Sequence, residues 1–337
     1  VVSMTLSCHA PTRLDLAGGT LDIFPLYIFE GGGLTVNCAI TLFSRVELSP
    51  GENITITARD LGVSVSAPSA EELKPEGVLE LLMRAVRFAR PSGGLSIVTE
   101  NNVPKGSGLG ASSSLLVTLL WALLGDKRGS TDPHTFIDWC ANIEAQSLGI
   151  PTGKQDYYAA FFGGLSAIHF DERGITREAI TPSESFISTL GRSLILSYTG
   201  ISHFSGATNW DMMKGYIDNT GSTRDNMKRI KETSYAMRES LIGEDLAALA
   251  RALAEEWENR KTLAEGVTND TIEKMVAAAR DKGALASKIC GAGAGGCMIT
   301  IAPPEKRSDV IEALKSQGAV ILDCDISPEG VTVEEGK

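Results

Sequence analysis

The sequence predicts a two-domain α/β (α+β) protein, and three observations carry that expectation. Its first half alternates strand and helix patterns, a polar stretch from Asp171 to Ser185 divides the chain, and its second half is rich in helical periodicity before it closes as strand, helix, strand. We place the domains at 1–185 and 186–337. A length of 337 residues suits roughly two domains or one large one, and 43% hydrophobic residues suffice for a packed core.

Arg13 and Asp15 stand among alternating apolar residues, the pattern of a strand running into the Gly18-Gly19 turn. Leu34 to Leu48 is an extended strand. Ile54–Ala58 and Val63–Ala67 alternate, with the turn signal Asp60-Leu-Gly62 between them, so they form a hairpin. A helix at Val78–Ala89 and a strand at Leu95–Glu100 lead to a glycine loop. There Gly106, Gly108 and Gly110 precede Ser112, Ser113 and Ser114, which open an apolar run, Leu115 to Leu124, that reads as a buried helix. A second helix starts at Asp132-Pro133, an N-cap followed by proline at N1, and stops near Gly149. Leu165–Phe170 and Ser193–Tyr198 are strands on either side of the polar stretch. Helices follow at Asn226–Leu241, Asp245–Leu263 and Thr271–Lys282, then a strand at 297–302, a helix at Glu305–Ser316 and a strand at Ala319–Asp323. The chain has no internal repeat and no low-complexity segment.

The glycine loop ends at a helix N-terminus, where unpaired N–H groups and the helix dipole favour a phosphate. A serine hydroxyl in the first turn can also ligate a magnesium ion held by that phosphate. Gly106-x-Gly108-x-Gly110 is neither G-x-G-x-x-G nor a Walker A loop; alone, it also reads as a flexible turn. A G-x-G-x-x-G does occur at Gly291, Gly293 and Gly296, but it precedes a strand, whereas the dinucleotide motif must open a helix. In the helix from Pro133, a turn of about 100° per residue centres Glu144 in an apolar stripe with Ile137, Cys140 and Leu148. A carboxylate there calls for a metal, a lysine or an arginine; the other reading is a structural ion pair or a glutamate snorkelling at the rim. Twelve residues later, in Gly153-Lys154-Gln155-Asp156, the acid read alone is a helix cap. Arg13 is either a structural ion-pair partner or a guanidinium suited to phosphoryl transfer.

A net charge of -11 argues against nucleic acid or an anionic membrane as the main partner, so a phosphate ligand must be held by local devices. No apolar run reaches the length of a membrane span and no basic segment with an apolar signal core opens the sequence, so a cytoplasmic location is expected. Cys8, Cys38, Cys140, Cys290, Cys297 and Cys324 are scattered without a C-x-x-C pair, which suggests reduced core thiols. The four histidines have no ligand spacing, and zinc is not expected.

These pieces together resemble the GHMP kinases, the superfamily of galactokinase, homoserine kinase, mevalonate kinase and phosphomevalonate kinase. Three motifs carry the resemblance in the family's order: Pro11-x-Arg13 to Asp22, Pro104-x-Gly-x-Gly-Leu-Gly-x-Ser-Ser113, and Lys288-Ile-Cys-Gly-Ala-Gly-Ala-Gly-Gly296. The resemblance implies an ATP-binding N-terminal domain like ribosomal protein S5 domain 2, with a left-handed crossover, and a ferredoxin-like C-terminal domain. It implies ATP and Mg²⁺ as cofactors. Lys105, Gly106, Ser107, Gly108, Leu109, Gly110, Ala111, Ser112 and Ser113, together with Gly293, would serve ATP. Ser112, or Ser113, and Glu144 would ligate magnesium. Asp156 would accept the substrate proton with Arg13 beside it, and Gly19, Thr20, Asp22, Gly153, Gly200 and Gly293 would meet the acceptor.

Within the superfamily the chain is similar to the branch of D-glycero-D-manno-heptose 7-phosphate kinase and fucokinase, through Ala17-Gly18-Gly19, Gly153 to Asp156, Tyr198-Thr199-Gly200 and Gly283-Ala284-Leu285. This likeness implies transfer of the γ-phosphate of ATP to a sugar or sugar-phosphate hydroxyl, the anomeric one. The partners expected are that small molecule and, at most, a second copy in a homodimer. The chain departs from the branch at Leu21, where Thr or Ser is usual, at His203, where a basic residue follows the Thr-Gly turn, and at Lys105, which replaces a small or apolar residue. A mevalonate-type kinase or related decarboxylase, and a non-catalytic sugar or ATP sensor on the same fold, are the alternatives. Asp22 and the 153–156 segment favour a polyhydroxylated acceptor.

Overall fold

The computed structural model describes residues 5–202 and 205–335. Two long strands near the start of the chain, β1 (Leu6–Ala17) and β2 (Gly33–Pro50), pair antiparallel, with irregularities after Pro11 and Asp15; the short helix α1 (Leu26–Phe29) lies between them. β3 (Ile54–Ala58) and β4 (Val63–Ala67) form the predicted hairpin. After α2 (Glu80–Ala89), β5 (Leu95–Asn101) runs antiparallel to the second half of β2 and parallel to β3. The helices α3 (Ala111–Leu124), α4 (Pro133–Leu148) and α5 (Gln155–Phe162) follow. The hairpin of β6 (Leu165–Asp171) and β7 (Gly174–Ile180) then brings β6 onto the first half of β2. β2 is therefore the spine, shared between β1 on one side and β5 and β6 on the other.

The second half runs α6 (Glu184–Ser193), β8 (Leu194–Tyr198), α7 (Ser205–Ile217), α8 (Thr223–Ile242), α9 (Leu246–Arg260) and α10 (Asp270–Asp281). It continues with β9 (Ala286–Ile289), β10 (Cys297–Ile301), α11 (Arg307–Ser316), β11 (Val320–Leu322) and β12 (Thr332–Glu335). Its antiparallel sheet has the order β11-β8-β10-β9, while β12 returns to pair with β1 and completes an eight-stranded first sheet among the described residues. The division at 185/186 remains a proposal for where the halves meet, with this last strand crossing it.

Alternation along β10 shows how the halves are joined. Cys297, Ile299 and Ile301 enter a core shared with Leu14, Leu16, Leu34 and Val36 of the first sheet and Leu249 and Leu253 of α9. Met298 points the other way, to Ile272 and Met275 of α10 and Val310 of α11. α3 is apolar nearly all round because it is buried: Leu116, Val117, Leu119 and Leu120 are fully enclosed, each contributing about 2 kcal/mol of transfer free energy. That burial fixes the helix start, and with it the glycine loop.

The polar stretch at 171–185 differs from its reading as a connection. It is β7 and the start of α6, with β7 at a sheet edge where alternate side chains stay in water. Thr176 and Glu178 suit such an edge, and Glu178 pairs there with Arg238 of α8. α5, α6, α7, β9 and β12 were not foreseen either. α5, β9 and β12 are short and α7 shows little contrast between its faces; α6 does have an apolar face, with Phe186 and Leu190 buried, but its start lies in the stretch read as a polar connection.

Candidate active site

Gly106, Gly108 and Gly110 hold φ of 70°, 72° and 71°, the left-handed region that favours glycine. The carbonyls of this loop are taken up by the protein behind it. Ser107 O accepts from the Cys297 N–H at 2.7 Å, Leu109 O from the Arg13 N–H at 3.1 Å, Gly108 O from the Arg13 guanidinium, and Lys105 O from Ser202 Oγ at 3.1 Å. Gly110 then caps α3, so the unpaired N–H groups of its first turn lie at the wall of a cavity of about 770 Å³ lined by Gly106, Gly110, Ser112 and Ser113. The third glycine motif backs this loop. A side chain at Gly296 would come 2.6 Å from Ser107 O, so the two loops meet backbone to backbone.

Asp156 enters the same cavity from the first turn of α5. Arg13 Nε donates to its Oδ1 at 2.7 Å, and Oδ2 lies 2.9 Å from where a Cβ on Gly110 would stand, so the carboxylate touches the glycine loop. Arg13 is buried, its side chain 6% exposed, whereas that of Asp156 is 21% exposed toward the cavity. Burial opposes the charge on Arg13, but Asp156 and Asp15 outweigh it and raise its pKa.

Glu144, on α4, is buried. Its hydrogen-bond partners are hydroxyls: Ser113 Oγ donates at 2.7 Å, Tyr157 OH at 2.5 Å, and Ser112 adds a third. Burial pushes its carboxyl pKa up, and those hydroxyls pull against the shift without a cation to help. The donor set fits one hard cation held by a carboxylate and a serine. No cluster of three or more His, Cys, Asp or Glu exists among the described residues, so such an ion would complete its shell with ligand oxygens and water.

Asp22 lines the same cavity. Its Oδ2 accepts from the Gln155 N–H at 2.9 Å, and any side chain on Gly153 would overlap the carboxylate, so glycine there is a condition of Asp22's position. Burial, reinforced by Asp156 and Asp15 and opposed by the Gln155 N–H, pushes the Asp22 carboxyl up to about 6.

The GHMP kinases N terminal domain matches residues 75–164, and the GHMP kinases C terminal domain matches 237–320. The D-glycero-alpha-D-manno-heptose 7-phosphate kinase of Campylobacter jejuni is 31% identical over 97% of this chain and 98% of its own length. The chain belongs to the GHMP kinases. A crystal structure described as a D-glycero-D-manno-heptose 1-phosphate kinase from Bacteroides thetaiotaomicron superposes on this GHMP kinase with a TM-score of 0.79, at 25% identity, over 98% of this chain and 99% of that one. A mevalonate kinase from Thermococcus gammatolerans is 27% identical over 98% of this chain and 99% of its own.

In this GHMP kinase the cavity brings together Arg13, Gly19, Thr20, Asp22, Lys105, the loop from Gly106 to Gly108, Gly110 to Ser113, Glu144, Gly153 and Asp156. Three expected site residues stand apart from its wall. Leu109 is buried in the shared core, Gly200 has open space around its α-carbon, and Gly293 packs against Val267. Leu21 is core too, packed with α8 and α9 side chains, and His203 lies outside the described residues. Sequence reasoning missed Gln155, Asn209 and Ser202, which line the cavity. It also missed Arg260, which binds the Gly19 carbonyl from behind, and no local pattern marks that contact across 241 residues.

A carboxyl whose folded pKa is raised contributes stability that is fully present below its unfolded value near 4 and is lost as pH rises through about 6. Asp22→Asn should therefore match the wild type at pH 4 and exceed it at pH 7 by on the order of 2–3 kcal/mol. Urea unfolding across that pH range measures the difference; a gap independent of pH would mean that Asp22 is not shifted.

Proposed function

We propose that this GHMP kinase is an ATP-dependent sugar kinase that phosphorylates a hydroxyl, the anomeric one, of a sugar or sugar phosphate in the cytoplasm. The observation that carries this reading is the contact of Asp156 with Gly110. One carboxylate touches the phosphate loop and faces an acceptor wall made by Asp22, Thr20 and Gln155. No helix among the described residues is long and apolar enough to cross a membrane.

Phosphoryl transfer asks a protein chiefly for positioning and charge neutralisation. In this reading the N–H groups of the loop and of the α3 start bind the β- and γ-phosphates, with Lys105 at the loop's entrance. Magnesium, when bound, neutralises oxygens of those phosphates, and Glu144 with Ser112 or Ser113 would hold it. Asp156 orients the acceptor hydroxyl and receives its proton, while Arg13 fixes the carboxylate through Nε. The acceptor oxygen bonds to the γ-phosphorus as the bond to the β–γ bridging oxygen breaks, and that electron pair leaves with ADP. Asp22 accepts hydrogen bonds from ring hydroxyls, which discriminates against acceptors that would leave it unpaired.

The polar lining of the cavity supports a sugar over mevalonate. Asp22, Thr20 and Gln155 offer several hydrogen-bonding groups side by side, which a polyhydroxylated acceptor satisfies better than mevalonate with its fewer hydroxyls. Two features, the Arg13–Asp156 contact and the hydroxyl-ringed Glu144, support an enzyme over a silent sensor.

Assays of ATP consumption against free hexoses, heptose phosphates and mevalonate should give turnover with a sugar. Phosphorus NMR should place the new phosphate on the anomeric oxygen; robust phosphorylation of mevalonate without sugar turnover would overturn the reading. Asp156→Asn should lower kcat by about 10²–10⁴-fold, the range for a positioned proton acceptor, with nucleotide affinity changed by no more than about threefold. A folded variant with wild-type kcat removes Asp156 from the chemistry. Glu144→Gln should raise the magnesium concentration needed for half-maximal rate and lower kcat by about 10²-fold. A magnesium titration that overlays the wild type would make Glu144 structural.

A further inference from the structure

Behind the acceptor wall lie four charged side chains, each with 0% exposure: Asp15 of β1, Glu256 and Arg260 of α9, and Lys288 of β9. Lys288 Nζ stands 3.1 Å from Asp15 Oδ2 and 3.3 Å from Glu256 Oε2, and donates to the Asp15 carbonyl at 2.7 Å. Glu256 Oε1 takes two bonds from Arg260, from Nε at 2.8 Å and Nη2 at 2.6 Å. The group is neutral as a whole, two acids against two bases. Burial opposes the ionised form of Asp15, yet Lys288, Arg260 and Arg13 together hold its pKa below the usual carboxylate value. Well-packed apolar residues often replace such a cluster without loss of stability, so stability alone does not account for it.

The remaining donors of Arg260 show what it acts on. Nη2 bonds the Gly19 carbonyl at 2.7 Å, and Nη1 bonds Thr20 Oγ1 at 3.2 Å. Thr20 has a φ of 78°, a conformation that a β-branched residue adopts only where its surroundings impose it. Its hydroxyl in turn reaches Asn209 Oδ1 of α7 at 3.3 Å. Gly19, Thr20, Asp22 and Asn209 all line the cavity, whereas Arg260 does not.

We propose that Arg260 is the positioning residue of the acceptor site. Charged and oriented by Glu256, with Lys288 and Asp15 completing the balance, it holds the Gly19–Thr20 turn with Thr20 in its left-handed conformation. Thr20 and Asp22 are thereby presented to the acceptor, and α9 becomes part of acceptor recognition without touching the acceptor. The kinetic half of this inference rests on the kinase reading above; the conformational half does not.

The test replaces the inner ion pair as a unit, Glu256→Leu with Arg260→Met, which leaves Lys288 and Asp15 to balance each other. The acceptor KM should rise tenfold or more, while the ATP KM stays within about twofold. Hydrogen exchange of the amides at residues 18–22 should accelerate at least tenfold, while that at 106–113 is unchanged. If the double variant does not fold, Arg260→Lys, which keeps the charge and loses the fork, is judged by the same two ratios. A folded variant with unchanged exchange at 18–22, or with both KM values rising together, overturns the proposal. Wild-type turnover on the acceptor panel decides the kinase reading separately, and the exchange measurement tests the clamp even where no acceptor is turned over.

Discussion

Arg13 is the tie on which the rest of the site depends. Its backbone N–H binds Leu109 O, its Nη1 binds Gly108 O and its Nε binds Asp156, so one residue of β1 fixes both the phosphate loop and the first turn of α5. The loop's carbonyls face the protein largely because Arg13 and Cys297 bind them there, and this arrangement frees amide hydrogens for an anion. A guanidinium suits the task, because its charge is permanent and its planar fork reaches Asp156 and the Gly108 carbonyl at once. Removing the guanidinium would strand both Asp156 and the Gly108 carbonyl, which links the acid's position to the loop's shape.

The loop end of the cavity offers backbone N–H groups, with the Glu144 carboxylate buried beside them, while side-chain carboxylates mark the end at Asp22. At the loop end the helix start and glycine amides supply partial positive charge, consistent with a chain of net charge -11 that offers no basic surface. The acceptor end carries Asp22 and Asp156, with Asp15 behind them. In the reading proposed above, a polyhydroxylated acceptor suits this end, where carboxylate oxygens accept hydrogen bonds.

Much of this was legible in the sequence where the determinant is local. The glycine loop, the Asp132-Pro133 helix start and the 54–67 hairpin follow from turn chemistry and capping, and the structure has them. Glu144 was marked by its place in an apolar stripe, although periodicity could not say whether a cation or hydroxyls would meet it. Asp156 shows the limit. As a local feature it is an acid in a first helical turn, and only its contact with a residue 143 positions away gives it another role. β7 escaped notice because an edge strand that stays half in water reads as polar loop.

The charged cluster around Arg260 was illegible for a related reason. Glu256 and Arg260 are spaced i,i+4, which on a sequence reads as a solvent-exposed helix pair contributing a few tenths of a kcal/mol. Packing reverses that reading: α9 turns this face toward β1 and β9, so the pair is sealed between the two halves of the chain. Once desolvated, each charge must be met by fixed partners, and those available are Asp15 from the first motif and Lys288 from the third. The requirement works in one direction. A residue in the third motif neutralises an acid in the first, and the surplus hydrogen-bonding capacity of Arg260 is spent on the Gly19–Thr20 turn. Two motifs far apart in sequence are therefore bound to one another by the electroneutrality of a buried site, and the acceptor wall takes its shape from that constraint.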